Sequence, residues 1–420
     1  MTRILHTLIF VITVVSAHAQ VTSWRGEHRD GHYIEKDLLK IWPENGPALL
    51  FKVAGIGKGW SSATTANHTI YITGKKDSME YLSAVTMNGA IKWQVPFSKS
   101  WDQAYPDSRG SATIEDDRVY VISGTGVLAC INGETGDINW SVDAIQEFDA
   151  VVSAFGTAES PLIIDDKVIC TPAGEKTTVV AFNKMTGKMI WKSEPTGGEM
   201  AFMSPVEFTY KQFRYILAGT TTHIVALIPE TGEIAWKYRH YDPSREKGNP
   251  GDGICLVNSP IFRDNEIFIT KGYHYPSMMI AMDSTGRGVT EKWINYTLDN
   301  DHGGVVRVED HIYGANYNPG NNKWVCLDWD TGEVTFLHEW GDKGSTVAAD
   351  GLLYLYEERR GNIALVRPNP NRFEIISTFK VHHGNGPHWT HLSVFDGIMY
   401  VRRGDVLMAY ALKSDLQLNL

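Results

Sequence analysis

The chain is poor in cysteine, poor in positive charge and, after its first twenty residues, without a long apolar run. Four cysteines, Cys130, Cys170, Cys255 and Cys326, are spread over 420 residues with no CxxC and no adjacent pair. That spacing argues against a disulfide framework or a cysteine metal site and reads as buried apolar thiols. The 39 Lys and Arg stand against 49 Asp and Glu, a net charge of −10, and no basic tract is present. Nucleic acid and anionic membrane are thereby poor partners. The one apolar run, Leu8 to Val15, follows Arg3 and precedes Ala17-His18-Ala19. It is too short to span a bilayer and has the pattern of a cleaved signal peptide. Export is expected, with residues 1–19 removed and a soluble periplasmic or secreted chain starting at Gln20.

What the chain has in excess is one turn. "TMNGAIKW" (86–93), "NGETGDINW" (132–140), "NKMTGKMIW" (183–191), "IPETGEIAW" (228–236) and "DWDTGEVTF" (328–336) are variants of it. The turn glycines Gly89, Gly136, Gly187, Gly232, Gly286 and Gly332 are spaced by 47, 51, 45, 54 and 46 residues. Trp93, Trp140, Trp191 and Trp236 each follow their glycine by four; the Gly286 copy runs on to Trp293, and the Gly332 copy has Phe336. An apolar strand precedes each turn and an alternating strand follows, which is hairpin chemistry with glycine supplying the positive φ. A second strand pair with an acidic tight turn lies upstream, as in "ATIEDDRVYVISG" (112–124). Four short strands per unit of roughly 45 residues is the period of a propeller blade.

Eight innermost-strand starts are legible, at "WSSAT", "RGSAT", "ESPLI", "MSPVE", "NSPIF", "GGVVR", "GSTVA" and "HLSVF". The seventh unit replaces its glycine turn with a Pro-Asn loop, and the eighth ends at "VLMAYAL" without a fourth strand. "ALLFKVAG" (48–55) supplies that strand. The fold expected is all-β: an eight-bladed propeller of four-stranded antiparallel blades over 48–412, closed by an N-terminal strand. A lead-in covers 20–47 and a tail 413–420. The repeated tryptophans pack between blades, since one per repeat at one position is a packing signature.

The repeat, strand–"TGxxxW"–strand, resembles the PQQ-like β-propeller family, which includes quinoprotein alcohol dehydrogenases and the propeller lipoprotein of the outer-membrane β-barrel assembly machinery. The resemblance covers about residues 48 to 412. It implies an oxidoreductase-like quinoprotein holding pyrroloquinoline quinone (PQQ) and Ca²⁺ at the central funnel.

The residues just ahead of the eight innermost strands should ring that funnel: Trp60-Ser61, Arg109-Gly110, Ala158-Glu159, Phe202-Met203, Val257-Asn258, His302-Gly303, Lys343-Gly344 and Trp389-Thr390. They do not repeat from blade to blade, as a binding mouth requires. By the resemblance, Glu159 and Asn258 hold the Ca²⁺ and Asp301 is the base. Arg109, Glu159, Asn258, His302, Lys343 and Trp389 then bind the cofactor. The adjacent cysteine pair found over the cofactor in the family's dehydrogenases is missing. Two other readings stay open: an envelope interaction scaffold, and a carbohydrate-active enzyme using Arg109, His302 and the tyrosines of "KGYHYP" (271–276) and "YGANYN" (313–318), with Trp60 and Trp389 stacking on sugar rings. A histidine cluster, His382, His383, His388 and His391, joins His302 as a candidate metal or acid–base group. The partner expected at the mouth is a small molecule, a glycan or a protein, bound by a monomer with no transmembrane segment.

Overall fold

A computed structural model describes residues 21–150, 152–245, 256–318 and 321–417. The expected signal segment and Cys255 lie outside these residues. The chain folds into eight sheets, seven built on four consecutive antiparallel strands and the eighth on three consecutive strands joined by one from the N-terminal end. Blade 1 runs from Thr64–Ala66 to Ile91–Lys99, and blade 7 from Gly344–Ala349 to Glu374–Lys380. Leu49–Ala54 pairs antiparallel with Val406–Ala411 and completes blade 8, so the ring closes through both ends of the chain. Closure leaves the propeller without an open edge between its first and last blades. Arg402, 1% exposed, seals the joint by donating to the carbonyls of Gly57 and Thr73 and to Ser61 Oγ in blade 1.

The glycine turns work as interlocks. Gly187 has φ +69°, and a Cβ there would fall 2.7 Å from the Trp140 ring of the preceding blade. The Trp140 Nε1–H donates to the Lys184 carbonyl in the same turn, at 3.1 Å. Gly136 meets Trp93, Gly232 meets Trp191 and Gly332 meets Trp293 in the same way. The pattern breaks at Gly286, which abuts Phe213 and Tyr215 rather than Trp236. Where blade 6 carries Phe336 and blade 7 lacks a glycine turn, the Pro-Asn loop supplies Phe373, its ring 6.1 Å from that of Phe336.

The innermost strands begin up to four residues later than the sequence suggests, for instance at Thr64, Thr113 and Leu162. The residues ahead of them hydrogen-bond across to the next blade. Ser62 N–H donates to Ser111 Oγ, Ser111 N–H to Ser160 Oγ, and Ser160 N–H to Ser204 Oγ, at 2.9, 3.1 and 2.9 Å. The recurrent serine of these starts thus satisfies backbone donors that have no ladder partner.

The lead-in crosses the axis. Val21–Thr22 adds a fifth strand to blade 2, and His32–Tyr33 adds one, parallel, to blade 7. Between them Arg25 and Arg29, each 3% exposed, reach opposite walls of the channel. Arg29 donates to the Ser160, Pro161 and Pro205 carbonyls and to Thr113 Oγ1. Arg25 donates to the Val305 and Thr346 carbonyls and to His391 Nδ1. Carbonyls of the innermost strands are the natural partners for a guanidinium fork in so narrow a space. Burial lowers both arginines to about 10, so each remains charged at neutral pH.

Candidate functional site

Backbone alternation decides which residues face the axis. At all eight blades the first residue of each expected pair lines one cavity of about 360 Å³: Trp60, Arg109, Ala158, Phe202, Val257, His302, Lys343 and Trp389. The second residue of each pair turns into the wall. Ser111, Ser160 and His391, two positions beyond Arg109, Ala158 and Trp389, face the cavity again.

Glu159 and Asn258 are therefore on the wrong parity. Glu159 is 2% exposed; one carboxylate oxygen accepts from the Thr171 N–H at 3.0 Å, and the other has no hydrogen-bond partner. Burial pushes its pKa up to about 8, a rise that hydrogen bonds from Thr171 and the charge of Arg29 only restrain. A mostly protonated acid next to a guanidinium is a poor Ca²⁺ ligand. The Asn258 amide nitrogen is shared among Asn300 O, Asn300 Oδ1 and Asp301 O, at 3.0, 3.0 and 2.6 Å. As placed, this pair does not fit a resident hard cation. No group of three or more His, Cys, Asp and Glu side chains is arranged to hold a metal among the described residues.

Asp301, His302 and Lys343 do meet, and they are joined by Glu358. Lys343 Nζ donates to Asp301 Oδ2 at 3.0 Å and to Glu358 Oε2 at 2.9 Å. His302 spans the same two acids: Nδ1 hydrogen-bonds Asp301 Oδ2 at 3.1 Å, while Nε2 stands 3.1 Å from Glu358 Oε2 without hydrogen-bond geometry. The result is a cluster of two acids and two bases on one cavity wall, joined by three hydrogen bonds and one close contact. Burial alone would raise Asp301, but His302 and Lys343 hold it well below the carboxylate range. Against burial, the same contacts lower Glu358 and raise both Lys343 and His302. Glu358 lies immediately after the second strand of blade 7, away from the innermost-strand starts from which the funnel residues were read.

An aromatic wall adjoins this cluster and touches it where the Trp389 ring stands 5.5 Å from His302. The rings of Trp60 and Trp389 are 4.9 Å apart, Tyr105 is 5.5 Å from Trp389, and Phe155 and Phe202 continue the surface. The Arg109 guanidinium sits 5.3 Å over Trp60, but its Nη2 is engaged with the Ala104 and Tyr105 carbonyls. Trp24 from the lead-in lines the cavity and packs on His391 at 5.2 Å, so the sequence segment left as a lead-in supplies part of the site. His391 Nδ1 accepts from Arg25, which leaves its Nε2–H to donate to the His302 carbonyl at 2.6 Å. Burial holds His391 neutral, well below the usual histidine range. The rest of the histidine cluster disperses: His388 is buried against the Tyr356 hydroxyl at 2.5 Å, His382 is exposed, and His383 lies 3.4 Å from Lys52. Cys130, Cys170 and Cys326 are free and buried, as expected of apolar thiols. No described helix is long and apolar enough to cross a membrane.

The profile of the family described as outer membrane protein assembly factor BamB, built on PQQ-like repeats, matches residues 78–367. The chain is 21% identical over 288 residues to outer membrane protein assembly factor BamB of Shewanella oneidensis, covering 66% of this chain and 69% of that protein. It is 22% identical over 256 residues to polyvinylalcohol dehydrogenase of a Pseudomonas species and 25% over 260 residues to methanol dehydrogenase (cytochrome c) subunit 1 of Methylorubrum extorquens. Of these two it covers only 35% and 41% of the length. Among solved structures, BamB from Moraxella catarrhalis superposes with a TM-score of 0.61 at 16% identity, over 87% of this chain and 99% of that one. A europium-containing methanol dehydrogenase gives 0.62 at 12% identity, over 89% and 88%. At such identities the two superpositions speak for the fold alone.

Proposed function

The chain belongs to the PQQ-like β-propeller family that includes outer membrane protein assembly factor BamB, and from that premise we propose that it is an exported binding propeller whose mouth takes a compact, ring-shaped, hydroxyl-bearing ligand, a saccharide above all. One observation carries this reading: a single cavity sets an aromatic wall beside a fixed cluster of donors and acceptors. A sugar ring offers the matching surfaces, apolar C–H faces and a polar edge. A cavity of about 360 Å³ is at the small end for organic ligands, whose sites run from roughly 300 to 1,000 Å³. Because every charge in the Asp301–His302–Glu358–Lys343 cluster is compensated, the wall suits neutral hydroxyls better than a free ion. Asp301, held well below the carboxylate range by His302 and Lys343, is too weak a base to take a ligand proton, so the site as placed favours binding over turnover.

A quinoprotein is the second reading, favoured by the indoles of Trp60 and Trp389, either one of which offers a face to a planar quinone although the two rings are tilted 59° to each other. When bound, PQQ would supply two-electron redox chemistry. Against it, Glu159 and Asn258 do not form the cation site, and a tricarboxylate would find Lys343 already neutralised by two acids. Calorimetric titration of the mature protein with cellobiose, with galacturonate oligomers and with PQQ plus Ca²⁺ separates the readings. Saturable saccharide binding weakened about tenfold by Trp389→Ala is the expected result, since an aromatic stacking contact is worth about 1 kcal/mol beyond its area. Saturation by PQQ with no saccharide binding would replace the first reading by the second. Binding of neither returns the mouth to the interaction-scaffold reading.

A further inference from the structure

Two tyrosines among the described residues have left-handed backbone, Tyr105 at φ 52° and Tyr273 at φ 60°, and both line the mouth cavity. Most other non-glycine residues of this conformation sit in the tight turns between first and second strands, where Asp116, Asp165, Asp264 and Asp396 are typical. A bulky side chain pays steric strain there that Asp, Asn and Gly largely avoid, and such strain gathers at functional sites. Each tyrosine is held through its backbone or that of its neighbour, Tyr105 by Arg109 on the cavity wall and the Tyr273 loop by the buried Asp299. Arg109 Nη2 donates to the Ala104 and Tyr105 carbonyls. Asp299 accepts from the His274 N–H at 2.8 Å and from the Tyr317 N–H at 2.9 Å, tying the Tyr273–His274 loop to the neighbouring one. Tyr105 lies between blades 1 and 2 and Tyr273 within blade 5, close to opposite each other around the ring. The Tyr105 ring contacts Trp389 and Phe155, although the residue is 53% exposed, and the Tyr273 ring packs 4.6 Å from Tyr317. Below them the lead-in, with Trp24 in the cavity, fills the channel.

We propose that Tyr105 and Tyr273 are the specificity-determining jaws of the mouth, gripping the terminal ring of a saccharide that enters by its end because the channel is blind. Arg109 and Asp299 are positioning residues that hold the jaws. The proposal rests on the saccharide reading of the cavity.

The test compares Tyr105→Gly and Tyr273→Gly with Tyr105→Ala and Tyr273→Ala, by melting temperature and by cellobiose titration. Glycine removes the ring and relieves the backbone; alanine removes the ring alone. Both are expected to weaken cellobiose binding about tenfold, while each glycine variant melts higher than its alanine counterpart. Affinity is expected to plateau from cellobiose to cellohexaose, as an end-binding site requires. Unchanged affinity in all four variants, or affinity rising steadily with chain length, overturns the proposal while leaving the saccharide reading in place. Absence of cellobiose binding in the wild type overturns both, and the order of the glycine and alanine melting temperatures then still reports whether the tyrosines are strained.

Discussion

Lys343 holds one ammonium between two buried carboxylates, so its loss matters more than the loss of an ordinary surface pair. Its side chain is 11% exposed and those of Asp301 and Glu358 are 7% and 15%. Lys343→Met leaves His302 alone to face two acids, and breaking a buried pair in this way costs about 3–5 kcal/mol. Urea denaturation should show that loss, and Lys343→Met combined with Asp301→Asn should recover part of it. The same cluster gives a pH signature. His302 is raised above its ordinary value, so its contribution to stability is fully present below the unfolded pKa and is lost as pH rises through the folded one. The stability difference between wild type and His302→Gln should therefore shrink as pH rises above the ordinary histidine range. Asp301 and Glu358 are lowered, so their contributions are lost in the opposite direction, as pH falls through the carboxylate range. Position ahead of an innermost strand pointed to His302 and Lys343, and the family resemblance to Asp301. Neither could show that Glu159 and Asn258, one residue out of phase with the cavity, face the wall, since parity along an extended segment is set only once the neighbouring blades are in place.

At the scale of the blade, the turn glycine and the preceding blade's tryptophan form one joint, and the two residue types are explained together. Gly187 needs its positive φ and also the space beside Trp140, whereas Gly197, at φ +78°, has nothing within 4 Å of where a Cβ would stand. Gly187→Ala should cost about 3 kcal/mol through strain and overpacking, and Gly197→Ala about 1 kcal/mol through strain alone. Thermal or urea melts of the two variants check the difference. The repeat was legible because successive joints constrain each unit twice, its glycine against the preceding blade's ring and its own ring, four residues on, against the next blade's glycine. Where the joint is rebuilt, as at Gly286 against Phe213 and Tyr215 or at Phe336 against Phe373, the sequence loses its regularity because packing there is met by other side chains. Of the tyrosines at the mouth, Tyr273 stood among those of "KGYHYP", while Tyr105 went unseen, since a left-handed tyrosine has no sequence signature of its own.

Across the whole molecule, blade number and ring closure followed from counting strands, but the path of the lead-in did not, because nothing local in "SWRGEHRDGHY" says that two arginines will be buried in the channel. Their partners are backbone carbonyls of blades far away in sequence, such as Val305 and Thr346 for Arg25. Arg29→Met would strip donors from three carbonyls and one hydroxyl, and a loss of about 3–5 kcal/mol is expected in chemical denaturation. The path of this segment also bears on time. The lead-in and Leu49–Ala54 are the first described parts of the chain to be synthesised; Val21–Thr22 and Arg29 find partners in blades 2 to 4, but Arg25, His32–Tyr33 and Leu49–Ala54 dock on blades 6, 7 and 8, which are made last. Until those last blades exist, this second set of contacts is missing, and the half-built arc exposes a bare strand edge. Folding therefore has to wait for the end of the chain, and contacts this distant in sequence close slowly. A nascent or interrupted chain of this design would stay prone to sticking to others of its kind, and a binding partner that shields its open arc would speed the yield of closed rings without changing their final stability.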